Sequence, residues 1–399
     1  MSPQEHTLQY PLTQTAPLEP PQEWDELRRG CPVADVHLPN GAPAKLLTRH
    51  EDVKATLADP RFVRDIRVGT RPEGAEDDPG DLTRMVPSTG EEHLRWRRLV
   101  GRWFTAKRMK QLRPGMEQIA EDLIEAMVAS GPPADLKAGL GFPLPVFVIC
   151  DMLGVPARDR ERFSRWSDIL LNLTRYTGQE MRESQQEFVA YMSGHIEAKK
   201  TAPADDLISA LIEQRETEGD GLGDTELLGT AMGLLVAGHE TTANMIGKMV
   251  AMLLADRSRW ERLLEDPSKV RTAVEESLRA DANAGFGLSR VLSEDTEVAG
   301  EHLPEGTPVV CSMAAANRDE RVFTDPGNMD LHRVPNPHLS FGAGAHSCLG
   351  QALARTELQV TLEVLLRKLP TLELAVPPEE LEPVEGLLVG GLREVPVRW

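Results

Sequence analysis

The stretch HLSFGAGAHSCLG, His338–Gly350, sets one cysteine among three glycines and two histidines. A cysteine held in this way can be a nucleophile, a ligand to a metal or cofactor, or a buried thiol without chemistry. Just ahead of a helix, exposed N–H groups favour a thiolate, by about 0.3–1 kcal/mol at exposed sites. Glycines at 342, 344 and 350 would let the main chain approach something flat and large without Cβ interference. A nucleophile would want a histidine base and an orienting partner; His346 is near, but no third member is evident. An inert thiol would explain neither the glycines nor the flanking histidine. The loop alone leaves these readings open.

Other residues carry possible chemistry of their own. Glu240 and Thr241 lie mid-way along an apolar helical stretch, where a carboxylate is costly without a partner or a task. They read either as a polar kink, the threonine hydroxyl bonding one turn back, or as a proton-delivery pair. His93 and Arg97 are four apart, so one helix face can present both to a single anionic group. Glu276 and Arg279 are likewise spaced for one face. Two tempting motifs fail. A dinucleotide loop starting at Gly342 would need glycine where Ser347 stands, and a zinc-protease HExxH starting at His239 would need histidine where Ala243 stands.

Taken together, these pieces resemble the haem-thiolate monooxygenases of the cytochrome P-450 superfamily. FGAGAHSCLG matches the family's FxxGxxxCxG loop through Phe341, Gly344, Cys348 and Gly350. EESLR supplies its ExxR as Glu276 and Arg279, and AGHETT (237–242) its central acid–alcohol motif. HLRWR (93–97), DPRF (59–62), AANRD (315–319) and FTDPGNMDLHR (323–333) fall in register, so the resemblance covers about residues 20–399. It implies haem b as cofactor, Cys348 as axial iron ligand, and His93, Arg97, Arg290 and His346 as partners of the haem propionates. It implies Glu240 and Thr241 as the catalytic pair for proton delivery, with Gly238 making room for dioxygen. Glu276 and Arg279 would form a structural network with Arg333. One departure stands out: where many relatives carry an aromatic residue and a proline after ExxR, this chain has LRADANAGFGLSRV.

The elements that must position these residues read as mainly helical. Helical patterns run over 91–129, 156–175, 178–199, 205–217, 224–256, 267–280 and 349–369, with strand-rich stretches around 38–43, at 290–313 and at 371–398. The helix from Asp224 would be roughly 50 Å long at 1.5 Å per residue and apolar on nearly every face, hence central. The expected architecture is a single-domain haem-thiolate monooxygenase fold over residues 23–399, many helices with small β-sheets. A loose N-terminal arm (1–22) would precede it, and the haem would lie between the long central helix and the cysteine-loop helix. The Gly-, Pro- and Asp-rich stretch 68–90 reads as a lid over a pocket.

Composition narrows the function. The 399 residues carry 44 Lys plus Arg against 63 Asp plus Glu, a net charge of −19, which disfavours nucleic acid and anionic membrane. Four scattered cysteines, a polar N terminus and no long apolar run point to a cytoplasmic monomer. Against that negative background, eight basic residues and no acid lie between Leu94 and Met116: Arg95, Arg97, Arg98, Arg102, Lys107, Arg108, Lys110 and Arg113. Those not turned to the haem are expected to form a positive patch that receives an acidic ferredoxin, itself served by a ferredoxin reductase.

The reaction expected from the resemblance uses dioxygen and two electrons to hydroxylate or epoxidise a hydrophobic small molecule. A polyketide, macrolide or peptide-derived natural product of secondary metabolism is the expected substrate class. Oxidative aryl or C–C/C–O coupling on the same scaffold is the alternative. A peroxide-using haem enzyme would typically replace the acid–alcohol pair, and a haem sensor would have no need of it.

Overall fold

The computed structural model describes residues 8–64, 86–87, 89–171, 176–283, 285–384 and 390–399. Along the chain, β1 (Leu8–Gln9), α1 (Glu23–Gly30), β2 (Val33–His37), β3 (Pro43–Leu47), α2 (His50–Ala58) and β4 (Phe62–Val63) come first. A mostly helical stretch comes next: α3 (Gly90–Gly101), α4 (Ala106–Ser130), β5 (Ala134–Asp135), α5 (Pro143–Met152), α6 (Arg160–Leu171), α7 (Gly178–Thr201), α8 (Leu207–Glu218), α9 (Asp224–Ala255), α10 (Arg257–Glu265) and α11 (Val270–Ala280). The remainder holds β6 (Leu288–Leu292), β7 (Thr296–Val298), β8 (Glu301–Leu303), β9 (Pro308–Cys311), α12 (Met313–Ala316), α13 (Gln351–Lys368), β10 (Glu373–Leu374), β11 (Pro383–Val384), β12 (Gly391–Leu392) and β13 (Pro396–Arg398). The chain is mainly α with small sheets, as its periodicity predicts. The lid expected over 68–90 lies almost wholly outside the described residues.

The elements sort into two compact units interleaved in sequence. One takes Met1–Asp77, Lys248–Cys348 and Glu373–Val395; the other takes Asp78–Gly247, Leu349–Leu372 and Pro396–Trp399.

The first unit is built on a six-stranded sheet of order β1-β2-β3-β9-β6-β4. Its β2–β3 hairpin closes at Gly41, whose φ of 83° suits glycine, as Asn40-Gly41 foretold. Strand β9 is buried on both faces and therefore reads as a continuous apolar run. Val309 and Cys311 join Leu47, Val53, Leu57 and Phe62 on one side, while Val310 joins Leu46, Val36 and Tyr10 on the other. The second cluster corrects the expected loose arm. Residues 8–9 pair in parallel with β2, and Tyr10 is buried, its hydroxyl donating to the Phe286 carbonyl at 2.7 Å. Proline and glutamine richness suggested a tail, yet one aromatic residue with a buried acceptor suffices to hold it.

Helix α11 organises the irregular segment C-terminal to it in this unit. Arg279 is wholly buried and uses all five guanidinium donors: two on Glu276 (2.7 and 2.8 Å), the others on the carbonyls of Asn317, Pro326 and Asn328. Glu276 also accepts from Arg333 Nε, Asn336 Nδ2 and the Asp330 N–H. Removing one partner from such a pair costs about 3–5 kcal/mol, because the other charge stays buried. Arg333 thus fills the third place in the network that the family resemblance implied.

In the second unit the helical stretch 91–129 is two helices. Thr105 starts a new N-cap by accepting from Arg108 N–H, so α4 begins afresh after Gly101. Helix α5 has no counterpart among the helical patterns of the sequence: Pro143 and Pro145 look like breakers, but proline fits a first helical turn. Helix α5 and the turn just before it pack closely on α9 through two glycines. A Cβ at Gly141 would lie 3.2 Å from the Ala243 carbonyl, and one at Gly238 would lie 3.1 Å from Ile149 Cδ1. The missing Cβ of Gly238, expected to make room for dioxygen, therefore accommodates Ile149.

Helix α13 brings a buried carboxyl, Glu357, beside the Thr242 hydroxyl. Burial pushes the Glu357 pKa up to about 8, the hydroxyl opposing slightly. An unfolded glutamate titrates near ~4.3. Between those values the unfolded chain releases a proton that the folded chain keeps, so stability falls as pH rises through that window and levels off above it. Glu357→Gln removes the slope. Its melting temperature should match the parent near pH 5 and exceed it by several degrees at pH 8.5; equal melting at both would show that Glu357 ionises freely in the fold.

Candidate functional site

In the first unit the cysteine loop is closed by its own main chain. The Cys348 N–H donates to the Phe341 carbonyl at 2.8 Å, and Gly342 N–H to that of Leu339 at 2.7 Å. Upstream, Asn317 braces the approach, accepting from Leu339 N–H at 2.7 Å and donating to Ser340 Oγ at 2.9 Å. Of the four cysteines, Cys150 and Cys311 are buried and burial pushes their thiols up, Cys311 to about 12. Cys348 is exposed, and His346 beside it is half-buried. Helix α13 starts at Gln351, capped by Gly350, so Cys348 stands farther from the helix end than the sequence suggested.

The glycines work differently from their expected role. Gly344 has φ 70°, and a Cβ there would lie 2.6 Å from Ala58 Cα and 2.7 Å from the Leu57 carbonyl. It is glycine because α2 passes beneath it. At Gly342 (φ 68°) a Cβ would meet the Leu288 side chain at 3.4 Å, which sets the loop against β6. Arg290 lies two residues along that strand and is buried, its guanidinium donating to the Ser289 carbonyl at 2.8 Å. No carboxylate pairs with it among the described residues. Burial holds this guanidinium below its usual range; the Arg64 cation adds to the effect and the Cys311 thiol opposes it.

The second unit holds the other four predicted residues. His93 is buried in α3 and stacks on Trp96 (centroids 6.4 Å, planes 19° apart), and Arg97 is half-buried one turn on. Trp96 Nε1 donates to Thr230 Oγ1 at 2.9 Å, which pins α3 to α9. Along α9, Ala237 and Thr241 are exposed while Ala231, Leu235 and residues 242–250 are buried. The central helix thus opens along one stripe, at the predicted threonine. Thr241 donates to the Ala237 carbonyl at 2.8 Å, the one-turn-back bond its position predicts. Glu240 is half-buried; burial raises its pKa, and the Lys137 ammonium opposes this.

His239, between these and the α5 packing, is a fixed neutral ring. Its Nε2 meets the Phe142 carbonyl at 3.1 Å and its Nδ1 the Ser167 hydroxyl, and burial lowers its pKa to about 4. A carbonyl only accepts, so Nε2 carries the proton and Nδ1 accepts from Ser167. In the sequence His239 stands only as a failed metal motif; its role as a clasp needs partners from two distant segments, which no local pattern shows.

The basic run is not the bare patch expected of it. Arg95 pairs with Asp220 (2.6 Å) and Glu226 (3.2 Å), Arg98 with Asp220 (3.1 Å), and Arg102 with Glu218 (2.7 Å). Arg108 pairs with Asp205 at 2.9 Å, and Arg113 with Glu117 and Glu363. Exposed Lys107 and Lys110 make no ion pair among the described residues. The acids come from segments about a hundred residues away or more, apart from Glu117, so the run's own composition could not reveal them.

These features fit a haem. Within the first unit, an exposed cysteine on a closed loop and a buried guanidinium with no carboxylate partner among the described residues are what a thiolate-ligated, propionate-bearing ring would require. Comparison with known proteins agrees. The cytochrome P-450 family model matches residues 144–390. The chain is 43% identical over 98% of both sequences to the mycinamicin IV hydroxylase/epoxidase of Micromonospora griseorubida. It is 41% identical to the nocardicin C N-oxygenase of Nocardia uniformis subsp. tsuyamanensis, covering 98% of this chain and 99% of that protein. Among solved structures, the mixed-function P-450 MycG superposes with a TM-score of 0.91 at 41% identity, over 98% of this chain and all of the other. The chain belongs to the cytochrome P-450 family: it is a haem b-dependent monooxygenase of the bacterial type. No helix among the described residues is long and apolar enough to cross a membrane.

Gly344→Ala tests the loop. A left-handed backbone alone costs about 1–2 kcal/mol for an L-residue, and here the Cβ also meets main chain that cannot step aside. Gly344→Ala should lower the melting temperature by several degrees and reduce bound haem per protein. Gly342→Ala, facing a movable leucine, should do both less. Equal behaviour of the two would discount the α2 contact.

Proposed function

We propose that this monooxygenase hydroxylates or epoxidises a hydrophobic natural product of polyketide, macrolide or peptide origin, in secondary metabolism. The observation that carries the reading is the open stripe of α9, where an exposed Thr241 follows a half-buried Glu240. Two relatives similar over nearly their whole length are named for oxidising mycinamicin IV and nocardicin C, which supports the substrate class. In this proposal Cys348 would bind the haem iron through its sulfur, and His93, Arg97, Arg290 and His346 would hold the propionates. When bound, thiolate-ligated haem supplies the activation of dioxygen by two electrons.

The chain's own residues supply protons and order. Burial lets the Glu240 carboxyl keep its proton to higher pH than an exposed glutamate, which suits a donor working nearer neutrality. The Thr241 hydroxyl rests its proton on the Ala237 carbonyl and leaves its lone pairs to accept another. The alternation of a donor acid and a two-way hydroxyl makes a relay. Electrons come, in this reading, from an acidic ferredoxin and its reductase, approaching the basic α3–α4 segment.

Cys348→His should abolish the red-shifted Soret band of the reduced, carbon monoxide-treated protein, while Cys311→Ser, altering a buried thiol, should keep it. Retention of the band in Cys348→His would remove Cys348 from the iron.

For the relay, Thr241→Ala should still bind haem and substrate yet send electrons to peroxide or water, cutting product per electron severalfold. Glu240→Gln should slow turnover by about 10²-fold with little change in substrate binding. Parent-level product per electron consumed in both would make the pair structural.

A further inference from the structure

The segment EGDGLGD, Glu218–Asp224, joins α8 to α9 and has no part in the site above. Its shape is enforced. Gly219 ends α8 with φ 69°, and a Cβ at Gly221 would run into the Arg215 main chain, so the loop folds back tightly on its own helix. That turn delivers Asp220 between two arginines of α3, with Arg95 Nε at 2.6 Å and an Arg98 terminal nitrogen at 3.1 Å. The Gly221 carbonyl takes a further Arg95 nitrogen at 2.5 Å, and Glu218, one residue before the turn, takes Arg102 at 2.7 Å. The outer pairs stand in solvent: Arg98 is 58% exposed, Arg102 51%, Asp220 49% and Glu218 47%. Nothing buries them, so another carboxylate could take either place.

We propose that this acidic loop is an internal competitor for the electron donor: Asp220 and Glu218 occupy the arginines that an acidic ferredoxin would engage, and docking displaces them. This rests on the reading that an acidic ferredoxin approaches α3. The chemistry is the same on both sides of the exchange, carboxylate to guanidinium, so neither the number of ion pairs nor the net charge of the face needs to change when the partner replaces the loop. What changes is the field seen at a distance. With Asp220 and Glu218 in place, Arg98 and Arg102 are screened from an approaching anion, and encounter depends on the exposed Lys107 and Lys110 of the following helix. The loop thereby sets how selectively a partner must present its carboxylates before the arginines become available.

The test uses the haem-loaded protein and an acidic two-iron, two-sulfur ferredoxin of the plant type, with affinity followed by calorimetry from low to high salt. Asp220→Asn with Glu218→Gln should tighten binding three- to tenfold at low salt, with a steeper salt dependence and no difference in high salt. Arg98→Glu with Arg102→Glu should weaken it. If the arginine reversals weaken binding but the loop variant does not tighten it, the competitor is overturned and the docking reading stands. If neither pair of changes matters, the ferredoxin docks elsewhere and both fall. Hydrogen exchange of the unaltered protein gives an answer free of folding effects in variants. Amides of 219–223 should exchange faster in the ferredoxin complex than in the free protein; unchanged or slower exchange would overturn displacement.

Discussion

The Glu276–Arg279 pair is the constraint on which the cysteine side of the molecule depends. Two opposite charges at zero exposure are tolerable only if every donor and acceptor finds a partner, and those partners are spread over residues 317–336. Satisfying the pair therefore fixes the path of an otherwise irregular segment. Asn317, whose carbonyl is one of the acceptors, passes the order on through its side chain to Leu339 and Ser340, and the loop that presents Cys348 begins at the next residue. An irregular loop gains the precision of a helix by being tied to one.

Helix α9 solves the opposite problem. A long apolar helix is stable when it is covered all round, yet it must open somewhere to do chemistry. Here covering is achieved by close approach of α5 and the turn before it, through Gly141 and Gly238, and by the His239 clasp, and opening by the exposed Ala237 and Thr241 one turn apart. The polar residues in this stretch divide cleanly. His239 has both nitrogens committed and stays neutral, whereas Glu240 next to it is only half-buried and keeps a titratable carboxyl.

Much of this was legible in the sequence, and the boundary is a physical one. The helix from Asp224, the Asn40-Gly41 hairpin, the Glu276–Arg279 pair and the back-bond of Thr241 depend on local spacing, which a sequence displays directly, whereas Arg333 came with the family resemblance. What escaped it depends on partners brought from far away. Gly344 looked like a place for a ring and proved to be a place for Ala58; Gly238 proved to serve Ile149. The basic run looked bare because its acids sit at 205, 218, 220, 226 and 363, and the arm looked loose because the acceptor for Tyr10 is at Phe286.

Both ends of the described chain are woven into sheets: β1 lies in parallel beside β2 at Leu8–Gln9, and β13, Pro396–Arg398, runs antiparallel to β5. Anyone tethering this enzyme to a surface, or fusing a reductase to it to make a self-sufficient catalyst, would be pulling on strands at either terminus. A spacer that carries the mechanical load is needed after β13, so that the pull does not fall on its pairing with β5. On the side of β1, Tyr10 and its carbonyl partner set the limit of what can be given up.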